Sequence, residues 1–475
     1  MTQITRLLAP PAANRPRFVA TMLALGVGLS MVLFVDVRLG LAAFALLLAF
    51  VVRPLDPLMA LLVAVASASF VQNETGRLAT QLSALALLCF WALLCLGVSA
   101  RSGSWRLPHS WLTLALPIFL GTTGLSALHG IWDQQSPRYI GLELFPILAL
   151  GTGLAVGGLW LSRRDARLVL VFLLILGVAH SGLGLFAYWA GGARRGGVFF
   201  TPVTGMLALL TLSFALREPR RCARLLLLLL CALFLLHQLL SFTRGYWMGL
   251  LAGLPVTVLL FTRRGPGVGR RWRTVGATAA AVAVLVVLGV VGVSFWLGWG
   301  NAFGMMGARF ASSLSTQQSS DAASNIARLV EYWTALQQIA AAPWFGHGLG
   351  FTLHVRMPFY LATSTQWFVH HVYLWIWLKE GLVGLAALLF VLFAGFRIGL
   401  RASREHDPLT SAWGSCAAAS TGYIAVLGLT NFPLAQVNSP FLLALLWGMA
   451  ISFTRSQEGR VVWRVVAPVT PLGST

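Results

Sequence analysis

The residues best suited to chemistry in this chain are two adjacent histidines, His370 and His371, and four arginines, Arg194, Arg195, Arg244 and Arg328. Imidazole changes charge near neutral pH, so a histidine held at a membrane surface is a candidate acid or base. Adjacent side chains cannot point the same way on a helix or a strand, so one of the pair is assigned to catalysis and the other to structure. Arginine stays charged when partly desolvated and grips phosphate with two parallel N–H donors. In Arg194-Arg195-Gly196-Gly197-Val198-Phe199-Phe200-Thr201-Pro202 the two glycines allow close backbone approach. In Thr243-Arg244-Gly245-Tyr246-Trp247 a single cation separates two apolar runs, next to rings that can pack it by cation–π contact. Each has a plainer reading: headgroup snorkelling for Arg194 and Arg195, interface anchoring for Arg244, and an i,i+3 pair with Glu331 for Arg328.

The elements that must position these groups are membrane helices. Of the 475 residues, 58% are hydrophobic and 10% charged, and the mean hydropathy is +0.80. Soluble domains carry about a quarter charged residues. Apolar segments fall at 18–35, 38–52, 57–72, 78–99, 109–128, 139–162, 167–190, 200–216, 224–242, 246–262, 275–297, 382–400, 409–430 and 437–454. A span takes about 20 residues, so one or both of the second and third are half-spans or tilted pieces. The expectation is an all-α, polytopic integral membrane bundle of twelve to fourteen transmembrane segments; a β-barrel would show short alternating segments. The net charge of +21 sits in short arginine-bearing connections, every second one, and at both termini. That is the positive-inside pattern, which makes both termini cytoplasmic and removes the reason to invoke nucleic acid. The organisation is then an N-terminal bundle (1–297), a long extracytoplasmic loop (298–381) and C-terminal helices with a short tail (382–475).

The loop carries its own element. After the low-complexity stretch Ser312–Ser320, a helix capped by Asp321 or Ser324 is expected, with Ile326, Leu329, Val330, Trp333, Leu336 and Ile339 as one apolar stripe and Pro343 and Gly346 as its stop. Such a helix lies on the bilayer surface or caps the bundle. Arg194, Arg195, Arg244, Arg328 and the histidine pair all fall on the extracytoplasmic side, where the positive-inside rule does not account for arginine. Arg77 and Arg138 also lie there, but at the starts of spans, where interface anchoring is enough. Glu143 lies within a span and is weighed as a buried, hydrogen-bonded group ahead of a functional one. His109, His129, His180 and His237 read as packing or interface residues. The cysteines lack metal-ligand spacing, and there is no HExxH, P-loop, dinucleotide fingerprint or glycosidase carboxylate pair. No metal and no cofactor are expected.

Taken in order, these pieces resemble the O-antigen ligase and polymerase superfamily of bacterial membrane glycosyltransferases. The matching residues are Arg195, Gly197, Phe199 and Pro202, then Thr243-Arg244-Gly245-Tyr246-Trp247, then Arg328, Trp333, Ala335 and Leu336. They continue with Pro343-Trp344-Phe345-Gly346-His347-Gly348-Leu349-Gly350, and with His370, His371, Tyr373, Leu374, Gly381 and Gly384. Motifs cover residues 190–390, and hydropathy covers the whole chain. The family commonly has Asn where His371 stands and Glu where Lys379 stands, with Glu380 beside it; in this register His370 takes the place of the family's essential histidine. The resemblance implies twelve spans, a bacterial inner-membrane location and a periplasmic active site. It implies transfer of a polysaccharide from an undecaprenyl-diphosphate carrier to lipid A–core oligosaccharide, with the lipid tail in a lateral groove. Arg194, Arg195, Arg244 and Arg328 would hold the diphosphate without a metal, and His370 would deprotonate the acceptor for an inverting displacement. His371, Tyr373, Trp247 and Glu380 would support them. The long loop with its amphipathic helix favours a ligase over a polymerase or a protein O-oligosaccharyltransferase. A transporter should show paired interrupted helices and symmetry-related repeats, and no repeat is apparent.

Overall fold

The computed structural model describes residues 109–159, 161–191, 202–241, 243–263, 268–296, 320–356, 363–436 and 438–465. The expected segments 18–35, 38–52, 57–72 and 78–99 lie outside the described residues, as do Arg194 and Arg195. The helices are α1 (Trp111–Trp132), α2 (Pro137–Leu148), α3 (Thr152–Gly157), α4 (Arg163–Gly191), α5 (Pro202–Ala215), α6 (Arg221–Leu240), α7 (Arg244–Thr262), α8 (Val268–Trp296), α9 (Ser320–Ala341), α10 (Val372–Ser403), α11 (Pro408–Leu427) and α12 (Asn438–Val465). A 3-10 turn at Ala149–Gly151 joins α2 to α3. Among the described residues, 7 helices are long and apolar enough to cross a membrane, and every apolar segment expected from 109 onward falls on a helix. The protein is an all-α polytopic membrane bundle. Among the described residues one antiparallel ribbon, β1 (Leu353–Arg356) with β2 (Thr363–Gln366), interrupts it, with Leu353 opposite Gln366.

The middle of the bundle is set by side-chain size and polarity. α5 has no charged residue and is buried along its whole length. α11 is rich in Ala, Ser and Gly, so neighbouring backbones approach it closely. α10, α7, α5 and α12 all pack on it. Trp375, Trp413 and Trp447 are the largest fully buried side chains there. At one end, arginines are tied down: Arg163 to Asp407 (2.8 Å), Arg217 to Ser411 (2.9 Å) and Ser415 (2.6 Å), and Arg224 to Thr278 (2.8 Å). The opposite end carries α9, the ribbon and the start of α10.

Three expectations change in that second region. Helix α9 is described from Ser320 onward, so Asp321 and Ser324 lie within the helix and not at its cap. The first four N–H groups of a helix have no carbonyl partner, so serine and aspartate suit those positions as well as the cap. The apolar stripe also divides. Leu329 (65%) and Trp333 (64%) are exposed together with Ile326 and Leu336, while Val330 is half-buried and Ile339 buried. The face of α9 turned to the protein holds Arg328, Glu331, Tyr332 and Ala335, the reverse of a water-soluble helix and the arrangement expected when hydrocarbon lies outside. Finally, α10 starts at Val372, not at 382. Lys379 and Glu380 depress the hydropathy of its first turns, so the apolar signal begins only after them.

Helix α10 is broken at Gly381 (φ 73, ψ −172). This region of backbone space is open essentially to glycine alone. The break frees backbone groups that cannot be left unpaired in a membrane. The Pro343–Gly350 segment satisfies them from outside the helix. His347 N–H donates to Leu378 O (2.9 Å) and Gly348 N–H to Lys379 O (3.0 Å), while Leu382 N–H donates to Pro343 O (2.9 Å) and Val383 N–H to Trp344 O (3.4 Å). The glycine-rich run that follows α9 is thus the complement of a broken helix.

Candidate active site

His370 lies immediately before α10, in the strand-like segment returning from β2. Its ring Nδ1 is 2.9 Å from Glu331 Oε2, and its backbone N–H donates to Glu331 Oε1 at 2.5 Å. The next residue of α9, Tyr332, donates its hydroxyl to His370 O at 2.9 Å. The edges of Phe368 and Phe432 flank the imidazole at centroid separations of 5.0 Å and 5.4 Å. A carboxylate only accepts, so a neutral imidazole in this contact would carry its proton on Nδ1 and present a lone pair on Nε2. Nε2 takes no hydrogen bond from another described residue. A nitrogen in that state can accept a proton.

His371 does different work. It is the N-cap of α10, where its Nδ1 accepts the Leu374 N–H at 3.2 Å. Its ring stands edge-on between Tyr332 (5.5 Å) and Tyr373 (5.7 Å). Burial holds its pKa below the ordinary histidine range, which keeps that acceptor nitrogen bare. Asparagine is among the best N-cap residues, so histidine here fills a capping position.

The arginines converge on the same helix. Arg244, the first residue of α7, places Nη1 3.2 Å from Asn325 Oδ1. Arg328 directs Nη1 towards Thr430 O at 3.4 Å. Asn325, Arg328, Glu331 and Tyr332 recur at i, i+3, i+6 and i+7 and so occupy one face of α9. Through that face α9 meets Arg244, the turn after α11 and His370. Arg244 and Arg328 are each half-buried. The plainer alternative, an Arg328–Glu331 pair, is not how Glu331 is used, since both of its carboxylate oxygens face His370.

The remaining candidates are structural ties. Tyr373 donates its hydroxyl to Ala425 O (2.6 Å), joining α10 to α11. Trp247 donates to Gln238 O (3.3 Å), joining α7 to α6. Glu380 accepts from Thr122 (3.2 Å) and Thr123 (2.9 Å) of α1. Glu143 is buried and fully engaged by Lys379 Nζ (2.5 Å), Gly350 N–H (2.5 Å) and Trp375 Nε1–H (3.3 Å). Lys379 also donates to Phe351 O. Sequence reasoning weighed Glu331 only as a partner of Arg328, and passed over Asn325 and Thr430. The available signal was the phase of α9, since Asn325 and Glu331 share the polar face of Arg328; nothing local marks Thr430.

An apolar cavity of about 540 Å³ lies between α5, α6, α7 and α8. Trp247, Leu251, Leu254 and Val258 line it from α7. These positions lie 3, 7, 10 and 14 residues after Arg244, so Arg244 is placed at the head of the α7 face that lines the cavity.

Residues 226–389 match the family described as O-Antigen ligase. The matched segment runs from α6 past the break in α10, and contains Arg244, Arg328, Glu331, His370 and His371. Comparison with curated proteins gives no match.

Proposed function

We propose, from the match of residues 226–389 to the family described as O-Antigen ligase, that this chain is a ligase that moves a polysaccharide from undecaprenyl diphosphate to lipid A–core oligosaccharide. The observation that carries this reading is the convergence on α9 of a histidine held at Nδ1 by a carboxylate and two half-buried arginines. The reaction needs both. The acceptor hydroxyl gives its proton to His370 Nε2, its oxygen attacks the anomeric carbon, and the bond from that carbon to the diphosphate oxygen breaks. The electron pair leaves with the diphosphate. Arg244 and Arg328 stabilise that developing charge, joined by Arg194 and Arg195 in the sequence reading. Attack opposite the leaving group inverts the anomeric centre. The guanidiniums supply the positive charge, so the proposed chemistry is metal-independent. A histidine acting as general base contributes about 10²–10⁴-fold.

The apolar cavity supports a lipid-linked donor. Its α7 wall begins one turn below Arg244, which suits an amphiphile with an anionic head and a hydrocarbon tail. In this reading the site is periplasmic, in the bacterial inner membrane. The positive-inside pattern supports it, because the tied arginines Arg163, Arg217 and Arg224 lie at the other end of the bundle. The deciding experiment deletes the gene and examines lipopolysaccharide. A ligase leaves unsubstituted core with long carrier-linked chains accumulating. A single repeat unit on the core would instead mean a polymerase and would overturn the assignment. In membranes, His370→Ala should abolish transfer while the protein remains present.

A further inference from the structure

We propose that Glu331 is a positioning residue that sets the tautomer of His370, and that α9 thereby holds the base and the leaving-group cation Arg328 on one rigid element. The inference rests on the assignment of His370 as general base. Three contacts from two consecutive residues of α9 grip one histidine: Glu331 takes the backbone N–H and the ring Nδ1, and Tyr332 takes the carbonyl. The carboxylate side chain is 3% exposed and the imidazole 29%. Nδ1 thus faces a buried carboxylate, while part of the ring stays exposed. Phe368 and Phe432 stand against the ring and restrict its rotation. Arg328 precedes Glu331 by three residues, a rise of about 4.5 Å along the same helix. The spacing between Glu331, which holds the proton acceptor, and Arg328 is thus set by helix geometry.

A carboxylate that only tied the 368–371 segment to α9 would need one oxygen on the backbone. The second oxygen, on Nδ1, is the one that matters for proton transfer. An amide cannot reproduce both contacts, because it has one acceptor oxygen and one donor nitrogen. In Glu331→Gln the oxygen can keep the backbone N–H, and the NH₂ group then faces Nδ1. The imidazole is driven to the Nε2–H tautomer, with no lone pair at the open edge. A wrongly held tautomer removes most of what a general base supplies, about 10²–10⁴-fold.

The test uses the full chain in proteoliposomes with carrier-linked glycan and lipid A–core acceptor. For Glu331→Gln the expected result is a fall in kcat of about 10²-fold or more with donor KM unchanged, because the arginines are untouched. In ¹⁵N-histidine spectra, the His370 signal (assigned by its loss in His370→Ala) should switch from Nδ1–H to Nε2–H. Glu331→Asp keeps two acceptors on a shorter arm and should restore part of kcat and the original tautomer. Full activity and an unchanged tautomer in Glu331→Gln, with His370→Ala inactive, would overturn the positioning role and leave the base assignment standing. Activity in His370→Ala would instead overturn the base assignment itself. If Glu331→Gln does not fold, Glu331→Asp decides: a kcat loss at constant KM supports the proposal, and a parallel loss of folded protein with normal turnover per folded molecule refutes it.

Discussion

Replacing Lys379 by Met should destabilise the protein by about 3 kcal/mol, at the lower end of the cost of breaking a buried ion pair from one side. The side chains of Lys379 and Glu143 are 1% and 0% exposed, with Nζ and Oε1 2.5 Å apart. After the substitution Glu143 still accepts from Gly350 (2.5 Å) and Trp375 (3.3 Å), so two N–H dipoles continue to solvate it. That places the loss near the bottom of the range of about 3–5 kcal/mol. Glu143→Ala should be worse, at about 5 kcal/mol or more. It strands the ammonium on Phe351 O alone and orphans two N–H donors at about 1–3 kcal/mol each. The double variant Glu143→Gln with Lys379→Met removes both charges and keeps an acceptor for Gly350. It should return to within about 1–2 kcal/mol of the parent, less than the cost of Lys379→Met alone. The assay is equilibrium unfolding of the detergent-solubilised protein followed by tryptophan fluorescence. A Lys379→Met cost under about 1 kcal/mol, or a double variant no better than the worse single, would refute the claim that this pair is a mutually dependent structural clamp.

Gly381→Ala should abolish accumulation of folded protein, because φ is +73° and an added Cβ would overlap the Trp344 carbonyl; membrane-fraction yield and thermal unfolding would report it. His371 gives a pH dependence of known sign. Its folded-state pKa lies below the unfolded value of about 6.5, so its capping contribution is fully present above about pH 6.5 and is lost as pH falls through the lower folded value. His371→Asn should keep the cap, worth about 1 kcal/mol, and remove that acid-side loss in melting temperatures compared at neutral and mildly acidic pH. Arg244→Ala should lower kcat/KM for the lipid-linked donor by about 10–100-fold, as loss of a charged hydrogen bond predicts. Ala279→Trp, which narrows the apolar cavity, should slow a long-chain prenyl donor while sparing a short-chain analogue; equal effects on both would remove the cavity from the donor site.

Composition and hydropathy alone determined the all-α membrane bundle. The positions of its helices from 109 onward were also legible, because an apolar run of span length in a bilayer has few alternatives to a helix. The sequence also separated His370 from His371, since neighbouring side chains diverge by geometry, and the resemblance assigned the base to the first. It marked Arg244 and Arg328 by their departure from the charge pattern. Tertiary structure decided what those groups meet. Glu331 is 39 residues from His370 along the chain, and Glu143 is 207 from Gly350. No local period encodes such pairings; they exist only once α9 lies across the start of α10 and α2 reaches the broken segment. The break itself was hidden for the same reason. Gly381 is an ordinary glycine in a helical sequence until the Pro343–Gly350 backbone arrives to take the hydrogen bonds the helix gives up. Residue types fixed which chemistry was available, and long-range packing fixed which nitrogen, oxygen and guanidinium came within reach of one another.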